Sequence, residues 1–349
     1  MLDLLIFVGV IGVLILGHEL GHFLAARITG VRVEEFGIGF PPRLLTLFHA
    51  GGTRFTLNLI PLGGFNRIAG EDDPSVPDGL AAAKKRVRAF VLLAGPAVNV
   101  LLAILAFTAA FKFAAPDTDR VLITHVTSGT PASDAGILIG DLVTSVDNKP
   151  ITSFDTMQQA VSSRLGETIT LAVDRDGQSL SFDLIPRTET PSDQGPIGVV
   201  LGYPTREIGW IEAFQLGWDS TWMQFNEVLH LPGRLLRGEI RPEEARVSGL
   251  KGIYDMLSWA GSVDRSTQRP FFTLNMIGLI AVGLALANLL PFPALDGGRL
   301  VFIAIEAIIG RRISPRYEGL AHAIGFVILL MLMVYINLQD FVNPIALPR

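Results

Sequence analysis

The stretch LILGHELGHF, residues 14–23, places three ionisable side chains in a run that otherwise contains only aliphatic residues, glycine and phenylalanine. Residues four apart lie on the same face of an α-helix, so His18 and His22 can bind one ion. Glu19 then lies near the water that such a site activates, as in the H-E-x-x-H arrangement of zinc enzymes. Ionisable side chains in a membrane span are costly unless they are paired or functional. The stretch therefore predicts a membrane helix that carries a metal site and a general base.

The composition is that of a membrane protein. Hydrophobic residues make up 49% of the 349 residues and charged residues only 17%, against about 25% charged residues in an ordinary soluble domain. The net charge of -5, without a basic stripe, gives no reason to expect nucleic acid as a partner. Cysteine is absent, which excludes disulfides and a thiolate nucleophile.

Four apolar runs are each long enough to cross a bilayer. They predict spanning helices at residues 2–26, 89–113, 271–292 and 321–338. The first run follows no basic segment and exceeds the length of a signal peptide, so we expect it to remain as a helix. Basic residues are concentrated between the first and second runs and between the third and fourth. The positive-inside rule therefore predicts both loops to be cytoplasmic, with both termini and the region after the second run on the other side.

Period-two alternation in residues 31–68, interrupted by a Gly-Gly turn, predicts strands next to the membrane. Open strand edges cannot face lipid, so this sheet must be covered by protein, line a wet cavity or lie at the surface. It could simply plug the helix bundle. Alternatively, its exposed edge could bind an extended substrate as one more strand.

Residues 116–190 are polar and alternate in the manner of a soluble α+β domain. The segment SGTPASDAGILIGDLVTSVDNKPI, residues 128–151, resembles a PDZ domain. PDZ domains bind peptide termini or extended segments by β-addition, although the domain could also act only by blocking access through its bulk. Residues 191–268 form a predicted connector with a tryptophan-rich amphipathic helix, which is typical of a membrane interface. Within the connector, we expect the charged residues 234–246 to be a solvated linker without a site.

Zinc in a hydrolytic site takes three protein ligands and keeps one position open. Asp296, in NLLPFPALDGG at the end of the third span, is the best candidate for the third ligand because the charge count places it on the same side as His18 and His22. It could instead cap a helix or pair with Arg299. The other histidines have no partner at ligand spacing and are expected to be local hydrogen-bonding residues: His49, His125, His230 and His322.

HELGH in the first span, GPAVN in the second, the PDZ-like segment and NLLPFPALDGG in the third together resemble the site-2 protease family of intramembrane zinc metalloproteases, close to bacterial RseP-type members. The resemblance implies that His18, His22 and Asp296 bind one zinc ion and that Glu19 is the general base. It also implies hydrolysis of single-span substrates in the bacterial inner membrane, such as anti-sigma factors or signal-peptide remnants. The active site would then lie near the cytoplasmic side.

Two asparagines are candidate substrate-binding groups. The resemblance gives this role to Asn288. Asn99 lies in the second span, and either side chain could donate a hydrogen bond to the developing oxyanion or hold the substrate backbone. A lone asparagine in a span is also often a link between helices, so the role of Asn99 stays open.

The predicted fold is a polytopic α-helical membrane protein of about four spanning helices, with a membrane-associated β-hairpin region and one inserted α+β PDZ domain. Two rival readings remain: a membrane-anchored PDZ peptide-binding protein with a structural zinc site, and a zinc hydrolase of a small lipid-soluble substrate. RseP-type members often carry two PDZ domains, whereas this chain has room for one. The predicted divisions of the chain are residues 1–115, 116–190, 191–268 and 269–349.

Overall fold

The computed structural model describes residues 1–191, 194–241 and 246–345, without the side chain of Leu62. The chain forms two compact units. The membrane unit comprises Met1–Lys112 and Gly209–Arg349, and the inserted unit comprises Phe113–Ile208. The predicted connector and C-terminal division include residues 192–193, 242–245 and 346–349, which lie outside the described residues.

The helices of the described residues are α1 (Leu2–Ile28), α2 (Lys85–Ala114), α3 (Pro131–Ala135), α4 (Phe154–Ser162), α5 (Trp210–Leu236), α6 (Leu250–Thr267), α7 (Phe271–Leu289), α8 (Asp296–Ile309) and α9 (Pro315–Val342). The strands are β1 (Val33–Ala50), β2 (Thr53–Ile68), β3 (Ala115–Pro116), β4 (Val121–Val126), β5 (Leu142–Val146), β6 (Lys149–Pro150), β7 (Ile169–Arg175), β8 (Gln178–Leu184), β9 (Val199–Gly202) and β10 (Thr205–Arg206).

Four of the described helices, α1, α2, α7 and α9, are long and apolar enough to cross a membrane, as the sequence predicts. Their ends differ from the predicted ones by a few residues. Helix α7 stops at Leu289 rather than at residue 292. The reason is that Pro291 and Pro293 follow, and proline disfavours helical backbone at the residue before it. Helix α2 starts at Lys85, because the basic residues before the apolar run already adopt helical structure.

Strands β1 and β2 form a two-stranded antiparallel hairpin. Gly51 and Gly52 make its turn with positive φ angles of 55° and 82°, which glycine adopts without a Cβ penalty. At the base of the hairpin, Val33 and Ile68 are buried in one cluster with Ala26 of α1. It also folds back on itself, because residues 35–38 pair with residues 54–57 as well as with residues 64–67. Arg27 of α1 donates to Gly51 O in the turn, and Leu44, Leu45 and Phe48 expose large apolar side chains. The hairpin is therefore anchored on α1 at its base and at its turn.

The amphipathic helix expected in the connector is α5, which belongs to the membrane unit. It packs closely on α2 at Gly217, where a Cβ would lie 2.4 Å from Thr108 Oγ1. Its tryptophans point outward: Trp210, Trp218 and Trp222 are 63%, 45% and 43% exposed. The aromatic face is therefore free for lipid, consistent with an amphipathic helix at a membrane interface.

The expectation of a solvated linker at residues 234–246 is wrong at both ends. Helix α5 continues to Leu236, and Arg246 Nη2 donates to Asp340 Oδ1 of α9 at 2.7 Å. Asp340 is 1% exposed and also accepts the backbone N–H groups of Gly249 and Gly252 at 2.8 and 3.0 Å. The charge pattern hides this anchoring, because the partner lies some ninety residues downstream. Residues 242–245 of the predicted linker lie outside the described residues.

The inserted unit has a PDZ-type fold of a six-stranded sheet and two helices. The sheet order is β8-β7-β5-β4-β9, with β6 paired to β5. Its core contains Val121, Ile137, Met157 and Leu171, all at most 2% exposed. Strand β9 lies beyond the predicted limit at residue 190 and completes the sheet by pairing with β4. The sequence places the end of the domain too early, because the pairing of β9 with β4 joins segments about 75 residues apart.

An ion pair between buried Asp141 and partly exposed Arg175 stabilises the inserted unit. Asp141, at the start of β5, accepts hydrogen bonds from Arg175 Nε at 2.6 Å, from Arg175 Nη2 at 2.7 Å and from the N–H of Leu138 at 2.9 Å. Burial of Asp141 opposes its ionisation, but the hydrogen bonds from Arg175 and Leu138 outweigh it and lower the pKa of the carboxyl below its usual value.

Candidate metal centre

Three side chains that the sequence singles out meet in the membrane unit. His18 and His22 lie one turn apart on α1, and Asp296 is the first residue of α8. Asp296 Oδ2 lies 3.2 Å from His18 Nε2 and 3.3 Å from His22 Nε2. The two Nε2 atoms are 3.1 Å apart. Three possible metal ligands thus form a nearly equilateral triangle.

This triangle has the dimensions of a zinc site. Ligands about 2.05 Å from a zinc ion in a tetrahedral arrangement lie about 3.3 Å from each other. Asp296 Oδ2 is buried and accepts no hydrogen bond from the described residues. His22 Nδ1 lies 2.8 Å from Val91 O, so this nitrogen carries the proton and Nε2 presents a lone pair. Electron-rich atoms this close repel each other unless a positive charge lies between them, and a divalent cation fits the set.

Asn99 lies behind His18, not at a substrate. Its side chain is fully buried, with 0% exposure, and its amide lies 3.1 Å from His18 Nδ1. Its Oδ1 has no hydrogen-bond partner among the described residues. A half-turn of the amide places Oδ1 where it accepts the proton of His18 Nδ1, which leaves Nε2 free for a metal. The expected substrate contact is therefore not what the geometry supports, because no surface of Asn99 is accessible.

The backbone of α2 lies directly against the imidazoles. A Cβ at Gly95 would lie 2.4 Å from His22 Nε2, and a Cβ at Gly21 would lie 2.4 Å from Ala94 O. Glycine at both positions therefore permits the close contact of α1 and α2. The sequence gives GPAVN as a motif but not this reason for its glycine.

Two glycines of the LDGG segment place Asp296. A Cβ at Gly297 would lie 2.2 Å from Leu290 O, and a Cβ at Gly298 would lie 2.2 Å from Phe292 O. The loop between α7 and α8 can thus fold tightly over the start of α8. Neither alternative for Asp296 is seen among the described residues: the N-cap of α8 is Leu295, Asp296 Oδ2 has no hydrogen-bond partner, and Arg299 pairs instead with Glu71 and Asp72, at 3.4 and 2.8 Å.

The triangle opens into a cleft of about 250 Å³. Glu19, the predicted general base, and Asn288, the predicted substrate contact, both line this cleft. Asn288 Nδ2 donates to Leu284 O of its own helix at 3.0 Å, a hydrogen bond that does not use Asn288 Oδ1. The remaining lining residues are His18, His22, Phe65, Asn66, Ile68, Glu71, Leu92, Ala294 and Asp296.

The hairpin contributes cleft residues that the sequence reading did not single out. Phe65, Asn66 and Ile68 belong to β2, and Glu71 follows it. The Asn66 amide atoms are buried without a hydrogen-bond partner among the described residues. No local spacing connects these positions with His18, about fifty residues earlier, so only the packing of the hairpin on α1 reveals them.

Comparison with known proteins identifies relatives over nearly the whole chain. The model of peptidase family M50 matches residues 6–332. A protein of Brucella suis is 32% identical over 96% of this chain and 93% of its own length. The metalloprotease MmpA of Caulobacter vibrioides is 31% identical over 95% of this chain and 93% of its own. The zinc metalloprotease RasP of Geobacillus kaustophilus is 26% identical over 96% of each chain.

Among solved structures, the PDZ domain of an SdrC-like protein from Listeria monocytogenes is 23% identical, covering 24% of this chain and 87% of its own, with a TM-score of 0.22. The fold, the site and the relatives define a bacterial membrane metalloprotease with an inserted PDZ domain. The chain belongs to peptidase family M50, the site-2 protease family, and is a zinc metalloprotease.

Proposed function

We propose that this metalloprotease hydrolyses peptide bonds within or next to the transmembrane segments of single-span membrane proteins. One zinc ion per chain would be held by His18, His22 and Asp296. The observation that carries the proposal is the triangle of their ligand atoms, 3.1 to 3.3 Å on each side, on a helix apolar enough to span a membrane. A membrane-spanning substrate could therefore bring its peptide bonds to this site.

The chain's own residues divide the chemistry between them. Bound zinc supplies a Lewis acid for the scissile carbonyl and lowers the pKa of water to about 7. Glu19 lines the cleft and follows His18 directly in the chain, so it can take the proton of the attacking water and deliver it to the leaving amine. Val91 O and the Asn99 amide hold the Nδ1 atoms of His22 and His18, which keeps both Nε2 lone pairs directed at the site.

Substrate binding requires extended backbone. The amides of a substrate helix are in intrahelical hydrogen bonds, so the segment must unwind before attack, and in lipid those groups then need new partners. Among the described residues, residues 64–67 of β2 pair with β1 on one edge only, so their other edge can add a strand beside the cleft. Asn288, which also lines the cleft, would offer its side-chain amide to the same backbone.

We place the protein in the bacterial inner membrane, with both termini and the PDZ domain outside the cytoplasm and the active site near the cytoplasmic side. The support is the concentration of basic residues around the connections between the spanning helices α1 and α2 and between the spanning helices α7 and α9. The PDZ domain would bind a peptide terminus or an extended segment, or limit the size of substrates. Reporter fusions test the topology, and a cytoplasmic PDZ domain would contradict it.

The decisive experiment compares Glu19→Gln with the unmodified enzyme on single-span substrates in liposomes. We expect Glu19→Gln to keep stoichiometric zinc while cleavage falls by about 10²- to 10⁴-fold, the contribution of a general base. Glu227→Gln, on the exposed face of α5, is the matched control and should cleave normally. Full turnover by Glu19→Gln would remove Glu19 from this role. A zinc-loaded chain that binds peptides but cleaves none would instead favour the PDZ receptor.

A further inference from the structure

The loop between α7 and α8, residues 290–295, is here called the ligand loop because Asp296 follows it directly. Its residue Ala294 has a φ angle of +78°. This left-handed conformation crowds the Cβ of any residue other than glycine and persists only where the surroundings enforce it. Ala294 also lines the cleft. The strained residue therefore lines the cleft two positions before Asp296 in the chain.

A histidine of α9 holds this residue in place. The backbone N–H of Ala294 donates to His322 Nδ1 at 2.8 Å. Helix α9 lies directly on the loop, since a Cβ at Gly325 would lie 2.5 Å from Pro293 O. The His322 ring packs on Phe302 of α8, with ring centroids 5.5 Å apart. The histidine thus links three consecutive parts of the chain: the ligand loop, α8 and α9.

The hydrogen bond fixes the state of the imidazole. Nδ1 can accept only when it carries no proton, so the proton of neutral His322 lies on Nε2. Nε2 is buried and has no hydrogen-bond partner among the described residues. An unpaired buried donor is destabilising, and an apolar side chain of similar size would avoid it. Packing alone therefore does not explain why a histidine occupies this position. The need for a hydrogen-bond acceptor for the Ala294 N–H does explain it.

We infer that His322 is a positioning residue of the metal centre: through Ala294 it holds the ligand loop in the conformation that brings Asp296 to His18 and His22. The inference rests on the proposed function, because it takes Asp296 as a zinc ligand. His322 itself is outside the described cluster of three possible ligands. Its effect should therefore appear in zinc affinity and reach cleavage only through the metal.

The test measures zinc affinity of the full-length protein in detergent by competition with a chromophoric chelator, beside kcat and KM for a single-span substrate. His322→Leu removes the acceptor and should lower zinc affinity about 10- to 100-fold, the usual effect of losing a group that orients a ligand. His322→Asn places Oδ1 near the former position of Nδ1 and should retain most of the affinity. Saturating zinc should restore kcat in His322→Leu, with KM unchanged.

Substitutions of the strained residue Ala294 provide an independent test. Ala294→Gly removes the Cβ penalty at positive φ, so it should recover part of the affinity lost in His322→Leu and change little by itself. Ala294→Val increases the crowding without altering α9 and should also lower zinc affinity, which keeps the test decisive if His322→Leu does not fold.

Three results would overturn the inference: parental zinc affinity in His322→Leu or Ala294→Val, a loss in His322→Asn as large as in His322→Leu, or a further loss when Ala294→Gly is added to His322→Leu. Failure of the proposed function looks different. In that case the unmodified enzyme binds no zinc, or the Glu19→Gln variant cleaves the substrate as well as the unmodified enzyme does. Normal zinc-dependent cleavage by the unmodified enzyme, with an unaffected His322→Leu, would refute only the role of His322.

Discussion

The contact between Gly95 and the two imidazoles predicts that one methyl group on α2 weakens the metal centre. In Gly95→Ala, the new Cβ would lie 2.4 Å from His22 Nε2 and 2.8 Å from His18 Cε1. Both distances are shorter than 3.0 Å, and Cβ atoms essentially never come that close to another heavy atom. Without metal, the imidazoles can turn away from the methyl group. With metal bound, they are held at the shared ion. The crowding therefore acts mainly on the bound state.

The size of the effect follows from the cost of overpacking. Inserting a methyl group into a filled site costs about 1–3 kcal/mol, which corresponds to about a 5- to 150-fold loss of zinc affinity at about 1.4 kcal/mol per factor of ten. Helix propensity does not produce this loss, because alanine favours a helix over glycine by about 1 kcal/mol. Gly95→Ala should therefore fold and bind zinc weakly.

The assay is chelator competition for zinc, with thermal unfolding of the zinc-free protein measured beside it. Gly283→Ala is the matched control, because it makes the same substitution in the spanning helix α7 where a Cβ would meet no atom within 4 Å. We expect the control to bind zinc as the unmodified enzyme does. Equal zinc affinity in Gly95→Ala and Gly283→Ala would refute the reasoning, since the imidazoles would then not be confined by α2.

Two further predictions concern polar contacts. Asn99→Leu should lower zinc affinity about 10- to 100-fold, since His18 loses the partner of its Nδ1. The KM at saturating zinc should not change. A raised KM would instead indicate that Asn99 contacts the substrate. Asp141→Asn should destabilise the inserted unit, because Arg175 loses its charged partner and the N–H of Leu138 loses a charged acceptor; the measurement is faster hydrogen exchange in β5 and β7. Because the folded pKa of Asp141 is lowered, its stabilisation is present above the unfolded value of about 3.9 and is lost as pH falls below it. Protection that does not decrease on acidification would contradict this.

The sequence alone determined the parts of this protein that depend on near neighbours in the chain. Hydropathy runs predicted the four spanning helices, because the bilayer fixes the length of an apolar helix. A four-residue spacing placed His18 and His22 on one face, because the helix repeats every 3.6 residues. Alternation around Gly51 and Gly52 predicted the hairpin, and the turn residues of residues 128–151 indicated the PDZ domain. Each of these rests on a period or a turn that a short window contains.

Only the tertiary structure decided how distant residues meet. Asp296 lies 274 residues after His22 in the chain. The charge count and the family resemblance made it the expected third ligand, but no spacing in the sequence gives its distance from the two imidazoles. The approach of Gly95 to the imidazoles and the contact of Asn99 with His18 depend on how α2 packs on α1. No periodicity records such packing, because it is set by side-chain volume and hydrogen bonding between segments that are far apart in sequence. For the same reason the strained Ala294 and its link to α9 become visible only once the chain is folded.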